Sequence, residues 1–355
     1  MEPTALYKKL EQAKGSLSHL AVSPANARRR FHREFDVDEF LGPACDQYIL
    51  DLYKLHQSKA MRRLTAKTQV FPDPKNNRHI RTRLIHTQEV ASIAGVIAQI
   101  LGLNTPLTQA IAFGHDIGHA PFGHIGEEFI AHKTGKKFRH EIFACIIAQH
   151  IEREGRGLNL TLHTLEGIAS HSRGKNEMSA TAITAEADVV MFADKIAYCF
   201  SDVSDIFTRG YLDIHDYPQI RELSDWFGVF QRIRTGRCIS ALCVESMEKG
   251  CISFSDSEEA KRFAELRSAM YLAYPKLNRH LILPPTLEQV FELVSKIEDV
   301  DPAILLALMT DHEVMLLSQT ESRDVKSVIQ TFSVSEIIPF IRKRQIDFTD
   351  PDLVW

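Results

Sequence analysis

Residues 114–128 read Gly-His-Asp-Ile-Gly-His-Ala-Pro-Phe-Gly-His-Ile-Gly-Glu-Glu and place three histidines, His115, His119 and His124, within ten positions. Asp116 adjoins the first of them, and Glu127 stands three residues after the last. A solvated loop has no need of so many imidazoles, and a core tolerates few. So dense a supply of N and O donors suits a divalent cation with open positions, with a general acid nearby. The glycines of the run let its backbone turn sharply or approach a ligand closely.

Helices must deliver these groups. Apolar spacing over residues 38–64 predicts a helix that leads into Ser58–Leu64. Pro72 and Pro74 stop any helix in the polar stretch after Lys67-Thr68-Gln69-Val70-Phe71-Pro72. Arg81-Thr82-Arg83 opens a strong helical pattern in which His86, Val90, Ile93, Ile97 and Ile100 share a face, ending at Gly102. Thr108 to Phe113 is a short apolar helix that hands over to His115 and Asp116. Helices follow over 138–152 and 158–170, the second closing at His171, and a long one over 180–207. In that long helix Asp194, Tyr198 and Asp202 are four apart and share one face. Three polar groups on one face of an otherwise apolar helix line water or a ligand. Five more helices are expected near 219–248, 257–274, 286–297, 302–318 and 334–345, with Pro284-Pro285, Pro302 and Pro351 as breaks. Few stretches read as strands, so the expected class is all-α.

Three separated stretches offer metal ligands: His86, the pair His115-Asp116, and Asp194, with gaps of 115 − 86 = 29 and 194 − 116 = 78 residues. The order His … His-Asp … Asp resembles that of the HD phosphohydrolase superfamily. The surrounding sequence is more specific. Ser58–Leu64, Lys67–Pro72, Arg81–Val90, Gly114–Glu127, Gly157–Thr161, Thr164–Ile168 and Ala193–Tyr198 together resemble the dGTPase-like deoxynucleoside triphosphate triphosphohydrolases. The resemblance covers residues 58–210 and is thin beyond them.

That resemblance implies release of intact triphosphate from a dNTP, dGTP or several of them. It implies an HD-domain helical core at 58–210, a helical arm at 1–57 and a C-terminal helical region, 211–355, packed on the core. By the same analogy His86, His115, Asp116 and Asp194 hold one divalent ion per chain. The mixed N/O set suits Mn²⁺ or Mg²⁺, with Fe²⁺, Co²⁺, Ni²⁺ or Zn²⁺ as alternatives. Arg83 and Lys195 match phosphate-holding positions. Tyr198 and Asp202 match the sugar and its 3′-hydroxyl, and Gln69 a residue beside sugar and base. His124 and Glu127 match the catalytic pair, and His119 and His140 histidines near the phosphates. The chemistry suits these types. Water attacks the α-phosphorus, and the 5′-oxygen would otherwise leave as a costly alkoxide. A histidine that protonates it contributes roughly 10²–10⁴-fold. His124 is the candidate donor, with Glu127 one turn away to hold its tautomer.

Two departures stand out. Ala120 replaces a common proline, and Phe143 stands where a polar side chain is expected near the phosphates. Arg267 and Tyr271 are late candidates for base or sugar contacts. His150, His163 and His171 read as helix caps or solvated residues. The cluster Arg28-Arg29-Arg30 with Arg33 reads as a solvated arm, with an anion or subunit contact as the other reading.

Bulk properties set the remaining bounds. At 355 residues and 44% hydrophobic content the chain has an ample core. A net charge of −4 leaves no basic footprint, so obligatory nucleic-acid binding is not indicated, and single-stranded nucleic acid stays an open but unindicated partner. The six cysteines form no Cys-x-x-Cys pair and read as reduced thiols. The N-terminus lacks an apolar signal core, and no unbroken apolar run reaches the roughly 18–20 residues of a membrane span. A cytoplasmic enzyme is expected, oligomeric by resemblance, often hexameric. Two rivals remain: another HD phosphohydrolase such as a deoxynucleotide 5′-nucleotidase, and a nucleotide-sensing regulator with a silent site.

Overall fold

The computed structural model describes residues 3–29, 37–68, 81–172, 180, 182–277, 279–320 and 325–351. Among these, all regular elements are helical. The only pairings of extended backbone among the described residues are two isolated antiparallel bridges, Arg29 with Thr161 and Thr68 with Thr82. The all-α expectation holds. Gln69, Arg30 and Arg33 lie outside the described residues.

Two compact units interleave along the chain. The first comprises residues 1–27, 88–112 and 170–277. Its axis is the helix Ala185–Thr208, capped by the Thr184 side chain, which accepts from Ala187 N. Helix Gln231–Lys249 packs on it, and helices Pro218–Phe227 and Glu258–Ala273 pack on each other. The core is aromatic: Phe200 meets Phe227 and Phe263, and Phe254 meets Phe192 and Phe263. The buried Glu186 carboxylate ties the N-terminal segment down by accepting Val22 N and Asn104 N, each at 3.0 Å.

The second unit comprises residues 28–87, 113–169 and 278–355. Helix His124–Thr134 packs against helices Arg279–Val294 and Pro302–Leu308, with Phe129 edge-on to Phe291. Asp51 is fully buried and accepts from Thr161 N, Thr161 Oγ1, Thr164 Oγ1 and Arg29 Nη1 at 2.6–2.9 Å. Arg29 is therefore an internal anchor and not part of a solvated arm. A carboxylate withdrawn from water needs such a set of donors.

Several sequence expectations change. The stretch 138–152 is helical only to Ile146; a π turn covers Ile147–Ile151, and Arg153 and Glu154 then take positive φ. The helix before Ser170 starts at Leu162, not at 158. The stretch 219–248 divides at Gly228. Pro284 and Pro285 do not break the chain but lie inside helix Arg279–Val294. Burial of Leu283, Leu287, Val290 and Val294 on one face outweighs the two lost backbone bonds. The 302–318 stretch divides at Met309, where Thr310 and Glu313 form a capping box for Asp311–Ser318.

Helix Arg83–Leu101 is long and apolar enough to cross a membrane by length and composition. Its Val90, Ala94, Ile97, Ala98 and Leu101 are fully buried in protein, which makes it a core helix.

Candidate active site

The second unit gathers most of the residues singled out above. Helix Thr105–Gly114 ends at the start of the glycine-rich run, and His115 and Asp116 follow at once. Helix Arg83–Leu101 supplies Arg83 and His86 from its first turn. The three candidate ligands of this unit converge. His115 Nε2 lies 3.4 Å from Asp116 Oδ1, and His86 Nε2 lies 4.0 Å from Asp116 Oδ2. All three side chains are buried. Ligand atoms about 2.1 Å from one ion stand roughly 3 Å apart at right angles, so this donor set fits a divalent cation. Arg83 Nη1 donates to Asp116 Oδ2 at 3.0 Å, and its buried Nε has no hydrogen-bond partner among the described residues. The guanidinium thus keeps donor capacity for an anionic ligand. Burial would raise the Asp116 carboxyl pKa. His115, His119 and Arg83 together outweigh that and hold it well below the usual range.

Beside this group stands a relay of histidines around Glu127. His119 bridges the two groups: Nε2 lies 3.0 Å from Asp116 Oδ1, and Nδ1 pairs with Glu127 Oε1. His140 Nδ1 lies 3.2 Å from the same Glu127 oxygen, and His124 Nδ1 lies 3.4 Å from Oε2. His124, at the start of helix His124–Thr134, is exposed; the other three are buried. Burial holds His119 down at about 4, helped by Arg83 and His140 against Asp116 and Glu127. Burial acts the same way on His140, but there Glu127, with Glu141 and Asp116, outweighs it and raises the pKa to about 9. At neutral pH the relay therefore holds a neutral His119, a charged His140 and an ionised Glu127.

Two glycines make this approach feasible. A Cβ at Gly118 would lie 2.1 Å from His140 O and 2.3 Å from Ala144 N, so only glycine lets the run lie on helix His140–Ile146. Gly123 has φ +61°, and a Cβ there would meet Arg83 Nη2 at 2.4 Å.

The first unit holds the other candidates on helix Ala185–Thr208. Asp194 and Tyr198 are half-buried, and Lys195 and Asp202 are buried. The Tyr198 hydroxyl accepts from Arg267 Nε at 2.9 Å and bonds Tyr271 Oη at 2.9 Å. Tyr274 Oη donates to Asp202 Oδ2 at 2.7 Å. Burial pushes the Tyr198 and Tyr274 phenols well above their usual values, so both stay neutral hydroxyls.

Some expectations are corrected. Phe143 is fully buried and packs on Phe138 and Phe348, so it is a core residue and not part of a phosphate shell. His171 is buried and is no solvated helix end. His163 Nδ1 bonds the Tyr48 hydroxyl at 2.8 Å. Sequence reasoning missed Tyr274, Lys67 and Asp311. Tyr274 had a signal, since it follows Tyr271 by three and so shares its side of the chain. Lys67 and Asp311 had none, because their partners are distant in sequence.

A family model described as "HD domain" matches residues 83–199. A "Deoxyguanosinetriphosphate triphosphohydrolase-like protein" of Caldanaerobacter subterraneus subsp. tengcongensis is 39% identical over 249 residues, 70% of this chain and 70% of that one. The chain belongs to the deoxyguanosinetriphosphate triphosphohydrolase-like family. Proteins of the same description from Clostridium tetani and Clostridium perfringens are 38% and 40% identical, each over 63% of this chain and 65% and 66% of theirs. The HD match encloses Arg83, His86, His115, Asp116, His119, His124, Glu127, His140, Asp194, Lys195 and Tyr198. Asp202, Arg267, Tyr271, Tyr274, Lys67 and Asp311 lie outside it.

Proposed function

We propose that this chain hydrolyses deoxynucleoside triphosphates to deoxynucleoside and inorganic triphosphate. One observation carries the reading: a buried His86–His115–Asp116 convergence joined through His119 to the Glu127 relay, in a chain of this family. His86, His115 and Asp116 would hold the ion, with Asp194 as the fourth ligand that the family resemblance implies, and Mn²⁺ or Mg²⁺ would be the natural occupants of such a mixed N/O set. When bound, the ion polarises a phosphoryl oxygen and makes the α-phosphorus more electrophilic.

The chain's own groups do the rest. Arg83 and Lys195 hold the phosphates, and Arg83 balances charge as it shifts onto them. His140, charged, adds to that field. Water attacks the α-phosphorus, and its proton passes into the His119–Glu127–His140 network. His124 donates a proton to the departing 5′-oxygen; with Nδ1 on Glu127, Nε2 is the nitrogen left to meet it. Asp202 takes the 3′-hydroxyl and the Tyr198 ring lies along the sugar; a role for Gln69 beside sugar and base rests on the family resemblance alone. In this reading the chain works in the cytoplasm as a homo-oligomer. Its exposed Phe40, Ile49 and Tyr53 are apolar side chains that a neighbouring copy would cover.

The test is a chromatographic product assay of each dNTP with Mn²⁺ or Mg²⁺, alone and in mixtures. Inorganic triphosphate and free deoxynucleoside in equal amounts are expected in one step. Stepwise loss of single phosphates, or turnover of deoxynucleoside monophosphates alone, overturns the reading.

A further inference from the structure

The turn that carries the acid–base side chains is held from the far end of the chain. Asp311 opens helix Asp311–Ser318 and is 4% exposed. Its Oδ1 accepts the Phe122 backbone N–H at 2.9 Å. Its Oδ2 accepts Thr68 N–H at 2.9 Å and the Thr68 hydroxyl at 2.6 Å. Phe122 sits between His119 and His124 with φ +60°, a conformation that a bulky residue keeps only when its surroundings impose it. Thr68 pairs with Thr82 next to Arg83, and Gln69 follows it in sequence. Alongside, the buried Lys67 Nζ donates to His119 O and to Ala307 O.

An acid at the start of a helix is ordinarily there for the helix dipole. Here the cap itself is built by Thr310 and Glu313, and Asp311 is turned inward instead. Burying a carboxylate is costly, and three hydrogen bonds to one charge offset it. We infer that Asp311 is a positioning residue of the hydrolytic site. It locks the Pro121–Gly123 turn, and so His119 and His124, in register with Thr68 and its bridge to Thr82 beside Arg83. Its kinetic consequence rests on the proposed dNTP hydrolysis; the clamp itself does not.

The experiment compares three variants of the full chain. Asp311→Asn keeps the shape but offers one acceptor where two N–H groups need one, so one buried N–H faces an NH₂ group. Its kcat for the preferred dNTP is expected to fall at least about tenfold with KM within about threefold. Its metal content should match that of the parent, and amide exchange of the 119–123 peptide should accelerate by about tenfold or more. Thr68→Val removes only the hydroxyl bond and should lower kcat by roughly threefold. Thr310→Ala breaks the cap of the same helix, and should lower the melting temperature while leaving kcat and the exchange of 119–123 at parental values.

The inference is overturned if kcat of Asp311→Asn stays within twofold of the parent, or if Thr310→Ala loses as much kcat for the same loss of melting temperature. Should Asp311→Asn fail to fold, Thr68→Val decides: lower kcat at unchanged melting temperature supports the clamp, and full kcat overturns it. A parent protein that releases triphosphate from no dNTP defeats the proposed function alone. The exchange comparison then decides the clamp, and unaltered exchange in Asp311→Asn overturns it.

Discussion

His119 and His140 lie ring on ring, with centroids 3.8 Å apart and planes inclined by 15°, and Glu127 binds Nδ1 of each. Two imidazoles stacked this closely cannot both carry charge cheaply. Burial disfavours both cations, and the neighbouring charges divide the roles: Glu127 with Glu141 raises His140 to about 9, while Arg83 and His140 help to hold His119 at about 4. The pair is thus a proton donor and a proton acceptor in van der Waals contact, both anchored on the side chain that also touches His124.

Glu127→Gln should therefore disable the relay without emptying the metal site. The amide cannot hold three imidazoles by their Nδ1 atoms, and the His140 pKa should drop towards its ordinary value. A loss of about a hundredfold in kcat is expected, with KM little changed, because general acid–base catalysis contributes on that order. Steady-state kinetics with parallel metal analysis checks this. A variant with near-parental kcat would remove Glu127 from the mechanism.

Asp116→Ala should lose the ion and also destabilise the metal-free chain. The Arg83 guanidinium is buried, and its ion-pair partner would be gone. An uncompensated buried charge costs about 3 kcal/mol. Elemental analysis and denaturant titration of the metal-free proteins are the measurements. Full metal occupancy in the variant would sink the ligand assignment.

Much of this site could be read from the chain because its groups lie close together in sequence. His115 to Glu127 is a local run, and the spacing of Asp194, Tyr198 and Asp202 follows from helical periodicity alone. The supports were not legible. Asp311 reaches Phe122 across 189 residues, and Lys67 reaches Ala307 across 240, with no periodicity to announce either. The proline pair at 284–285 misled for a related reason, since tertiary burial of one helix face overrode a local rule. Phe143 misled because a family pattern was carried to a position that here faces Phe138 and Phe348.

Gly123→Ala should act on the phosphate site through Arg83. The new methyl group would start 2.4 Å from Arg83 Nη2, and φ +61° already strains any L side chain. Arg83 must swing away from its present place. Binding of a dNTP, followed by calorimetry with a slowly turned over analogue, should weaken by about tenfold. Unchanged affinity would show that Arg83 does not meet the phosphates from this position.

Lys67 predicts a pH dependence of stability with a definite sign. Burial, with Arg63 and Arg83, lowers its pKa from 10.5 to about 7 against the pull of Asp311 and Glu313. Between those values the unfolded chain binds a proton that the folded chain does not. Stability from this group therefore rises as pH rises from about 7 towards 10.5, and is lost as pH falls through about 7. The slope is at most about 1.4 kcal/mol per pH unit. Urea titrations at pH 7, 8 and 9 should show the native protein gaining on Lys67→Met; a flat or falling difference contradicts the reading.

The last prediction concerns the sugar. Tyr198 and Asp202 follow Asp194 at intervals of four, so they lie about 6 and 12 Å along the helix from it at 1.5 Å per residue. On the proposed reading, that is the direction in which a sugar would extend from an α-phosphate held near Asp194. Tyr198 is not a free ring. Arg267 and Tyr271 hold its hydroxyl at 2.9 Å each, so it cannot retreat to admit a 2′-hydroxyl. Asp202 is likewise aimed, with Tyr274 donating to Oδ2 at 2.7 Å. A ribose would crowd Tyr198 or leave a hydroxyl unpaired, at a cost of about 1–3 kcal/mol, or roughly ten- to a hundredfold. Competing dGTP and GTP should differ in kcat/KM by at least that ratio. Tyr198→Ala should narrow the gap by admitting the extra hydroxyl. Tyr274→Phe should instead depress kcat/KM for both sugars alike, since it disturbs the 3′-hydroxyl partner that they share. Equal rates for dGTP and GTP in the unaltered protein would sink the sugar-site assignment. A Tyr274→Phe effect confined to one sugar would show that Tyr274 does not act through Asp202.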